Sequence, residues 1–435
     1  MSDMEQRSPS SPELELEIID LATGGRGLAR GADGRVVFVA GALKGEKVRA
    51  RVVAEKRQYL EAETLEVLEA SPDRVEPACA LYGRCGGCDL MHLAYPAQVG
   101  AKADWVAQAL KRLDAPQPEI KASPLEWGYR HRVRFQVQDG VIGFFARASH
   151  ELVEVAYCPV AASGINSFLE AVSGGDLEAW PSMIWLEVMA DYEGRVMAAV
   201  GLEDMLPDES LNALKQTLGR AGAMGARLYV GDRVEAWTYD QDSGLIYYEE
   251  EGLSLRAYPG LFCQVNWPAN ELLVKHVLQA AGEPWGQEKA LDLYAGSGNF
   301  ALPLSAREWG VLAVEGDPQA VKAGRELARE MGLDGGVVFS RGQAGRELGS
   351  QVRAGESCDL AVLDPPRAGA KGLMKDLAAL KPQRVIYISC HAAALARDAD
   401  QLVEAGYRMT DLCVIDMFPQ TAHLESILVL ERGDA

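Results

Sequence analysis

The sequence predicts an α/β protein made of a small β-barrel, a central α+β domain and a Rossmann-like domain. The main observation lies after residue 289, where short apolar runs alternate with helical patterns, as in an open, doubly wound parallel sheet. Glycine-punctuated alternation of apolar and polar residues from 14 to about 70 predicts the barrel. Alternating segments between residues 184 and 258 predict a mostly antiparallel sheet in the central domain.

Length, composition and charge limit the possible protein classes. A chain of 435 residues with 48% apolar residues is too long for one ordinary core, so several domains are expected. Residues 1–13 are polar and rich in serine, proline and acid, which predicts a disordered lead-in and no signal peptide. No apolar run reaches membrane-spanning length, so we expect no membrane partner. Eight cysteines in a chain without a secretion signal favour metal binding or catalysis over disulfides, which predicts a cytoplasmic protein, and we expect a monomer. The formal net charge of −20 is unusual for a protein that binds nucleic acid.

The predicted barrel, residues 14–70, departs from this acidic average. Between Leu21 and Leu60, nine Lys/Arg stand against three Asp/Glu, which gives a local charge of +6 (9 − 3). Such charge runs are usually solvated strand faces. The contrast with the rest of the chain favours contact with an RNA backbone instead.

A four-cysteine pattern comes next. Cys79, Cys85 and Cys88 share one short glycine-rich stretch, and Cys158 follows about seventy residues later, directly before a proline. Three thiols in such a loop can wrap a metal, and the fourth would close a four-thiolate site. Zinc and an iron–sulfur cluster both accept four cysteines, so the pattern alone leaves the element open.

The central domain is predicted to span residues 71–262. Helical spacing that ends in a proline-containing linker marks residues 93–124, a segment that we expect to pack on the C-terminal domain. Arg130, Arg132 and Arg134 then alternate with apolar residues, which predicts a strand with one cationic face.

The C-terminal domain is predicted to span residues 263–435. Its predicted strands are 289–294, 311–315, 336–340, 359–363, 384–389, 411–416 and 426–431, and its predicted helices are 272–281, 299–307, 318–331, 371–380 and 392–405.

The first of these strands runs into a glycine turn, Gly296-Ser297-Gly298, with a helix directly after it. Such a turn places backbone amides and a helix N-terminus at the carboxyl edge of the sheet, where a nucleotide-like ligand can lie. The second strand ends in Glu315, and a carboxylate there can bind both hydroxyls of a ribose. This spacing is that of an S-adenosylmethionine site, and the strict dinucleotide fingerprint Gly-x-Gly-x-x-Gly is absent from the sequence.

Three reactive side chains are predicted at the same edge. The fourth strand runs into Asp364-Pro365-Pro366-Arg367, and the fifth runs into Cys390. If the last strand is antiparallel between the fifth and the sixth, its first residue, Glu425, lies close to Cys390. Each side chain could instead have a purely structural role. Asp364 could be a helix N-cap, Cys390 a small apolar core residue and Glu425 a solvated acid at a strand end. Their convergence beside a methyl-donor fold favours a catalytic set of two carboxylates and a thiol.

The sequence resembles the RNA uracil-5-methyltransferase family, in the iron–sulfur branch that acts mostly on 23S ribosomal RNA. The resemblance covers nearly the whole chain. It is carried by the following motifs: Gly25-Arg26-Gly27 and Gly45-Glu46 of a TRAM module, the four cysteines, Phe262-Cys263-Gln264-Val265-Asn266, the glycine turn, Asp364-Pro365-Pro366-Arg367, Ile388-Ser389-Cys390 and His423-Leu424-Glu425.

The resemblance implies specific roles. It implies a 4Fe-4S cluster on Cys79, Cys85, Cys88 and Cys158, RNA as partner and S-adenosylmethionine as donor. It makes Cys390 the nucleophile that adds to carbon 6 of uracil and Glu425 the base that removes the carbon-5 proton. The implied donor contacts are Gln264, Tyr294, Asn299, Glu315, Gln343 and Asp364.

Two departures and several alternatives accompany this interpretation. The family usually follows Ser-Cys with Asn-Pro, whereas this chain has His391-Ala392, and Ala295 stands where the family often has cysteine. A tRNA substrate and a non-catalytic RNA-binding or assembly role are the alternative functions. A radical mechanism is disfavoured because a fourth cysteine closes the cluster site, and an amino-group methyltransferase is disfavoured because Arg367 replaces an aromatic residue.

Overall fold

The computed structural model describes residues 12–173, 182–231, 233–238, 244–250 and 253–433. Two compact units are present, one with residues 12–105 and 420–422 and the other with residues 106–419 and 423–433. The predicted lead-in falls outside the described residues except for its last two positions, and Glu13 already begins the first strand. Within the described ranges, no helix is long and apolar enough to cross a membrane.

The first unit contains the predicted β-barrel as one six-stranded sheet. Its strands are β1 (Glu13–Glu17), β2 (Asp20–Ala22), β3 (Arg26–Arg30), β4 (Val36–Ala40), β5 (Lys47–Glu55) and β6 (Tyr59–Glu69). They pair in the order β1-β5-β6-β4-β3-β2. The period-two pattern places alternate residues such as Val37, Val39, Val48 and Ala50 in one core, and none of these four is exposed. Helix α1 (Tyr95–Leu110) comes later in the chain, followed by one 3₁₀ turn (Lys111–Leu113).

A buried carboxylate ties the barrel to the residues after it. The Glu46 side chain is 1% exposed and accepts hydrogen bonds from the Leu43 amide at 2.8 Å and the Ser71 amide at 3.2 Å. The Arg74 guanidinium donates to both Glu46 oxygens, at 2.6 and 2.8 Å. Burial opposes ionisation of Glu46, but the bonds from Arg74 and the two amides outweigh it, so the pKa of Glu46 lies below its ordinary value.

The basic segment of the barrel is interleaved with acids from neighbouring strands. Ion pairs join Arg26 to Glu61, Lys44 to Asp20, Lys47 to Glu15, and Arg49 to both Glu13 and Glu66. In the described part of the chain, Arg51, Lys56 and Arg57 form no ion pair. Arg30, at the end of β3, likewise forms none among the described residues and donates to the Gly34 carbonyl at 3.1 Å. Two of these four cations, Lys56 and Arg57, occupy the β5–β6 turn.

The second unit begins with a mostly antiparallel sheet, as the sequence predicts. Its strands and helices are β8 (Arg132–Gln138), β9 (Val141–Phe145), β10 (Leu152–Glu154), α2 (Ser163–Ser173), β11 (Met183–Ala190), β12 (Val196–Leu202), α3 (Asp208–Arg220), β13 (Ala223–Val230) and β14 (Arg233–Thr238), preceded in sequence by β7 (Glu119–Lys121). The order is β10-β9-β8-β11-β12-β13-β14. Only β12 and β13 are parallel within this described sheet, because α3 carries the chain back across it. A separate hairpin of β15 (Leu245–Glu250) and β16 (Leu253–Ala257) follows.

The predicted cationic face of β8 is an ion-pair network in the structure. Arg132 donates to a Glu187 oxygen at 2.8 Å, and Arg134 donates to the same oxygen at 3.0 Å. Glu187 lies opposite on β11 and is fully buried. The Arg134 guanidinium also stacks over the Trp185 ring at 4.3 Å. Both guanidinium groups are therefore already paired with a carboxylate inside this unit.

The predicted Rossmann-like sheet has eight strands. Its elements are α4 (Trp267–Ala281), β17 (Lys289–Leu293), α5 (Ala301–Ala306), β18 (Gly310–Glu315), α6 (Pro318–Glu330), β19 (Val337–Arg341), α7 (Ala344–Ala354), β20 (Leu360–Leu363), α8 (Met374–Ala379), β21 (Arg384–Ser389), α9 (Ala392–Glu404), β22 (Tyr407–Ile415) and β23 (Glu425–Arg432). The order is β19-β18-β17-β20-β21-β23-β22-β7. The fold class is confirmed, and β23 is antiparallel between β21 and β22, as predicted.

Two elements of this sheet differ from the sequence prediction. Residues 119–121, predicted as part of a linker, form β7 and pair in parallel with the end of β22. This three-residue strand exists only through its partner, so no periodicity could announce it. Helix α7 was not predicted because Gly345 and Gly349 interrupt its apolar spacing, yet it supplies the crossover between β19 and β20.

Removing the cation from the Glu46 network tests how much the network stabilises the barrel. Arg74→Ala leaves the Glu46 carboxylate buried with two amide donors. We expect a loss of about 1–2 kcal/mol at pH 7, less than the 3–5 kcal/mol of a fully buried pair because the guanidinium is partly exposed. Since the folded-state pKa of Glu46 is lowered, this contribution is present above pH ~4.3 and is lost as the pH falls through the folded-state pKa.

Denaturant unfolding of wild type and variant at pH 7 and pH 3 measures this contribution. The matched control is Arg35→Ala, because Arg35 pairs with the exposed acids Asp33 and Glu55 in the same barrel. We expect a clearly smaller loss for the control. Equal losses for Arg74→Ala and Arg35→Ala, or a loss for Arg74→Ala that does not change with pH, would contradict the assignment.

Candidate active site

The turn after β17 is shaped by glycine at the carboxyl edge of the sheet. Tyr294 has a φ of +66°, Gly296 of +56° and Gly298 of +106°. A Cβ on Gly298 would lie 2.7 Å from the Leu302 side chain, so only glycine fits there. The Tyr294 amide donates to the Val314 carbonyl at 3.0 Å and thereby fixes the turn against β18.

Glu315 closes this turn from the neighbouring strand. It ends β18, and one of its carboxylate oxygens accepts the Gly296 amide at 3.0 Å. The other oxygen accepts the Asp317 amide at 2.8 Å. The carboxylate is thus held in one orientation at the carboxyl edge, partly exposed, where it can accept further hydrogen bonds from a ligand's hydroxyls.

Gln264 and Asp364 meet at the same edge. The Gln264 amide nitrogen donates to an Asp364 oxygen at 3.2 Å. Burial raises the pKa of Asp364 to about 7, and the bond from Gln264 acts in the opposite direction. Gln264 is positioned by Asn266, which caps α4 and donates to the Ser123 hydroxyl and the Met417 carbonyl at 3.0 and 3.1 Å.

Asn299 is held by two residues that sequence reasoning did not single out. Its side chain forms reciprocal hydrogen bonds with the Asn270 amide, at 2.9 and 3.0 Å. The Tyr247 hydroxyl also donates to the Asn299 oxygen at 3.1 Å. The carboxamide orientation is therefore fixed by α4 and β15. Asn270 precedes the predicted helix 272–281, because the observed helix α4 begins five residues earlier than predicted, at Trp267.

Cys390 and Glu425 lie at the ends of adjacent antiparallel strands. Ser389 pairs with Ser426, and the Ser426 hydroxyl donates to the Ser389 carbonyl at 2.9 Å. Because Cys390 follows Ser389 and Glu425 precedes Ser426, this register places both residues at the same end of the β21–β23 pair. Glu425 is 3% exposed, whereas the Cys390 thiol is half-buried and accessible from the rim.

The electrostatics of this pair favour uncharged groups. Burial raises the pKa of Cys390 to about 11, with further contributions from the Glu425 and Asp364 carboxylates, while Arg367 lowers it. Burial and the nearby Asp364 also raise the pKa of Glu425 well above its ordinary value. In the ligand-free site at neutral pH the Cys390 thiol is therefore protonated, and burial favours the neutral form of the Glu425 carboxyl.

Asp292 is a third carboxyl group near this edge, in addition to Asp364 and Glu425. It lies in β17, fully buried, and burial with the nearby Asp364 and Glu315 raises its pKa well above the ordinary range. A charged residue in the middle of an apolar strand was the signal for it. The rim therefore concentrates acidic groups that a cationic ligand would stabilise in their charged forms.

The departure at His391 has a local explanation. His391 is the N-cap of α9, and its Nδ1 accepts a hydrogen bond from the Ala394 amide at 3.2 Å. The imidazole thus takes the capping role that asparagine performs well, and Ala392 starts the helix without proline. The substitution preserves the helix start directly behind Cys390.

The other predicted residues are distributed between the two units. Gln343 follows β19 and caps α7 at the carboxyl edge, exposed and without a side-chain cap bond. Cys79, Cys85 and Cys88 share one turn-rich loop of the first unit, where the Gly87 amide donates to the Cys85 sulfur at 3.4 Å. Cys158 belongs to the second unit, where Asn166 accepts its amide at 2.9 Å.

Comparisons with known proteins agree with this geometry. The family model for tRNA (Uracil-5-)-methyltransferase matches residues 94–330 and 350–433, and the TRAM domain model matches residues 12–65. A protein of Chromohalobacter salexigens named 23S rRNA (uracil(1939)-C(5))-methyltransferase RlmD is 36% identical, covering 96% of this chain and 89% of the relative. A protein of the same name from Pseudomonas putida is 35% identical, with 98% and 96% covered.

One solved structure shows the same fold over most of the chain. It is a Pyrococcus abyssi tRNA (uracil-54, C5)-methyltransferase in complex with S-adenosyl-L-homocysteine, with a TM-score of 0.76 and 22% identity. The alignment covers 96% of this chain and all of that one. At this identity the likeness concerns the fold.

The coupling between Glu425 and the Cys390 thiol is testable without a substrate. Glu425→Gln removes a carboxylate that raises the pKa of Cys390, so the midpoint of its alkylation should fall below about 11. The measurement is the pH dependence of iodoacetamide modification at Cys390, followed by mass spectrometry. Glu431→Gln, at the other end of β23, is the matched control and should leave the midpoint unchanged. An unchanged midpoint in Glu425→Gln would refute the coupling.

Proposed function

Because the chain belongs to the tRNA (uracil-5-)-methyltransferase family, we propose that it transfers a methyl group from S-adenosylmethionine to carbon 5 of a uridine in 23S ribosomal RNA. The observation that carries this proposal is the juxtaposition of Cys390 and Glu425 at the rim of a methyltransferase sheet. Relatives named for uracil 1939 of 23S rRNA align with nearly all of the chain, which favours the equivalent uridine and rRNA over tRNA. The proposed setting is a monomer acting in the cytoplasm.

The donor would lie along the carboxyl edge of β17 and β18. We assign the ribose hydroxyls to Glu315 because its carboxylate is already oriented by two amides. Bound S-adenosylmethionine supplies an electrophilic methyl group on a sulfonium. The other residues proposed to contact it are Gln264, Tyr294, Asn299, Gln343 and Asp364.

The nucleophile is needed because carbon 5 of uracil is a poor nucleophile by itself. The Cys390 thiolate adds to carbon 6, which places the electron pair in an enolate and makes carbon 5 nucleophilic. Carbon 5 then takes the methyl group from the donor sulfur. Since the Cys390 thiol is protonated in the free site, its proton must pass to solvent water before the thiolate attacks, and Arg367 favours the thiolate.

Glu425 completes the reaction. After methyl transfer, carbon 5 carries both the methyl group and its original proton. The Glu425 carboxylate removes that proton, and the electron pair re-forms the 5,6 double bond while the bond from carbon 6 to the Cys390 sulfur breaks. A carboxyl group with a raised pKa is a stronger base once ionised, so burial suits Glu425 for this step.

Contact with RNA is proposed for the TRAM module. Four cations of this module, Arg30, Arg51, Lys56 and Arg57, form no ion pair among the described residues, so they can meet phosphates without breaking one. Lys56 and Arg57 occupy the β5–β6 turn. The uridine itself must leave its stack to reach Cys390 at the rim.

A 4Fe-4S cluster is proposed for Cys79, Cys85, Cys88 and Cys158. The loop that carries the first three fits thiolate ligation because the Gly87 amide already donates to the Cys85 sulfur. Such a hydrogen bond from an amide stabilises negative charge on sulfur. Both zinc and an iron–sulfur cluster bind cysteine as the thiolate. A cluster at these residues would add folding energy to the loops that hold them.

Methyl transfer to defined RNAs tests the proposed activity. Wild-type protein with labelled S-adenosylmethionine should modify carbon 5 of one uridine in unmodified 23S rRNA, and mass spectrometry of RNA fragments locates it. Cys390→Ala should lose all detectable activity because no nucleophile remains. Cys358→Ala is the matched control, since this buried cysteine precedes β20 at the opposite edge of the sheet, and it should stay active. Modification of tRNA alone, or activity in Cys390→Ala, would overturn the proposal.

The cluster has its own test in anaerobically purified protein. We expect about four iron and four acid-labile sulfide per chain, with a brown colour. Cys158→Ser should lose the iron and unfold at a lower temperature, whereas Cys358→Ala should keep the iron. Stoichiometric zinc without sulfide would contradict the cluster assignment.

A further inference from the structure

A second cavity in the unit that carries the active site has the composition of a base-binding pocket. It has a volume of about 730 Å³ and lies between residues 127–128, the loop around Cys158 and helix α2. Trp127 and Tyr157 line it with large exposed fractions, 37% and 63%. None of the roles assigned above to the methyl donor, Cys390 or Glu425 involves this cavity.

The two aromatic residues are held on segments that are fixed to each other. The Gly128 amide donates to the Pro159 carbonyl at 3.0 Å, and both residues line the cavity. Asn166 on α2 accepts the Cys158 amide at 2.9 Å and donates to the Cys158 and Ala161 carbonyls, both at 3.1 Å. The cavity is therefore preformed, which lowers the entropic cost of filling it.

Backbone pairing connects one wall of this cavity to the segment that carries Gln264. Arg130 bridges to Ala161 on one side and to Asn266 on the other. The His131 amide donates to the Val265 carbonyl at 2.8 Å. Two strand spacings of roughly 4.8 Å separate Ala161 from Asn266, so the cavity wall lies roughly 10 Å from the segment that carries Gln264. This is the separation expected for nucleotides close to the one in the active site.

The chemistry of the cavity favours a base over a phosphate. Glu170 lines the cavity and would repel a phosphate. Arg132 and Arg134 of β8 offer little compensation, because both donate to Glu187. Aromatic rings, in contrast, stack on any unpaired base, and single-stranded RNA is commonly recognised in this way.

We infer that this cavity binds an unpaired base of the RNA substrate, close in sequence to the target uridine, by stacking on Trp127 and Tyr157. The inference rests on the proposed function, since it requires an RNA substrate whose target uridine enters the rim at Cys390. It adds a specificity site: an RNA in which the flanking nucleotides are paired cannot offer a base to the cavity.

The test uses the full-length protein and a hairpin of 23S rRNA that contains the methylated uridine. In Trp127→Ala and Tyr157→Ala we expect the Kd for this hairpin to rise roughly ten- to hundredfold, the effect of one lost base–aromatic stack. Affinity for S-adenosylmethionine and iron content should stay unchanged. Trp127→Phe keeps a ring and should bind within a fewfold of wild type. The matched control is Trp285→Ala, because Trp285 is 96% exposed beside β17 at its amino end.

A second measurement locates the base and does not depend on the variants folding. Hairpins with one abasic nucleotide, moved in turn along the unpaired flanks, are titrated against wild type and Trp127→Ala. One abasic position should weaken binding to wild type roughly tenfold or more and leave binding to Trp127→Ala unchanged, since both changes remove the same stack. Additive losses at every position, or aromatic variants that bind like Trp285→Ala, would overturn the inference. Absence of methylation by wild type would instead overturn the proposed function.

Discussion

Burial of acidic groups at the carboxyl rim constrains the rest of the catalytic unit. Asp292, Asp364 and Glu425 all have raised pKa values, and the two residues nearest to Cys390 raise the pKa of its thiol as well. In the empty site, burial favours the neutral forms of these groups, since an unpaired buried charge is costly. A donor that carries a sulfonium and an ammonium would favour their ionised forms. Binding of the donor and activation of the catalytic groups are thus expected to be coupled.

The position of β23 makes this arrangement possible. In an all-parallel sheet every strand would end at the same rim. Antiparallel β23 begins at that rim instead, so its first residue, Glu425, lies there. The Ser426 hydroxyl and the Ser389 carbonyl fix the register of the pair. A shift of one residue would turn Glu425 to the other face of the sheet, so this local register is a condition for the proposed chemistry.

The sequence was sufficient for the parts of the structure that depend on local pattern. The Rossmann-like alternation, the glycine turn and the antiparallel last strand are all found in the structure. It was insufficient where a partner from a distant segment decides the outcome. The arginines of β8 could not be assigned to Glu187 before the pairing of β8 with β11 was known. Likewise, the hydrogen bonds of Asn270 and Tyr247 with Asn299 join three segments that are separated in the chain.

The acidic character of the chain and its RNA-directed role are compatible because charge is distributed unevenly. Most cations of the TRAM module pair with nearby acids, and two of the remaining four, Lys56 and Arg57, occupy the β5–β6 turn. Recognition would then combine a few phosphate contacts with shape and stacking. Such an interface depends less steeply on salt than one made of many Lys and Arg contacts.

The covalent mechanism is tested most directly by trapping its intermediate. Glu425→Gln keeps the shape of the side chain and removes its basicity, so methyl transfer should proceed while the enzyme stays bonded to carbon 6 of the uridine. The measurement is denaturing gel electrophoresis of Glu425→Gln with labelled RNA and donor, beside Cys390→Ala and the double variant. The mechanism predicts a slow-migrating, methylated protein–RNA band for Glu425→Gln alone. The same band in a variant that lacks the Cys390 thiol would contradict it.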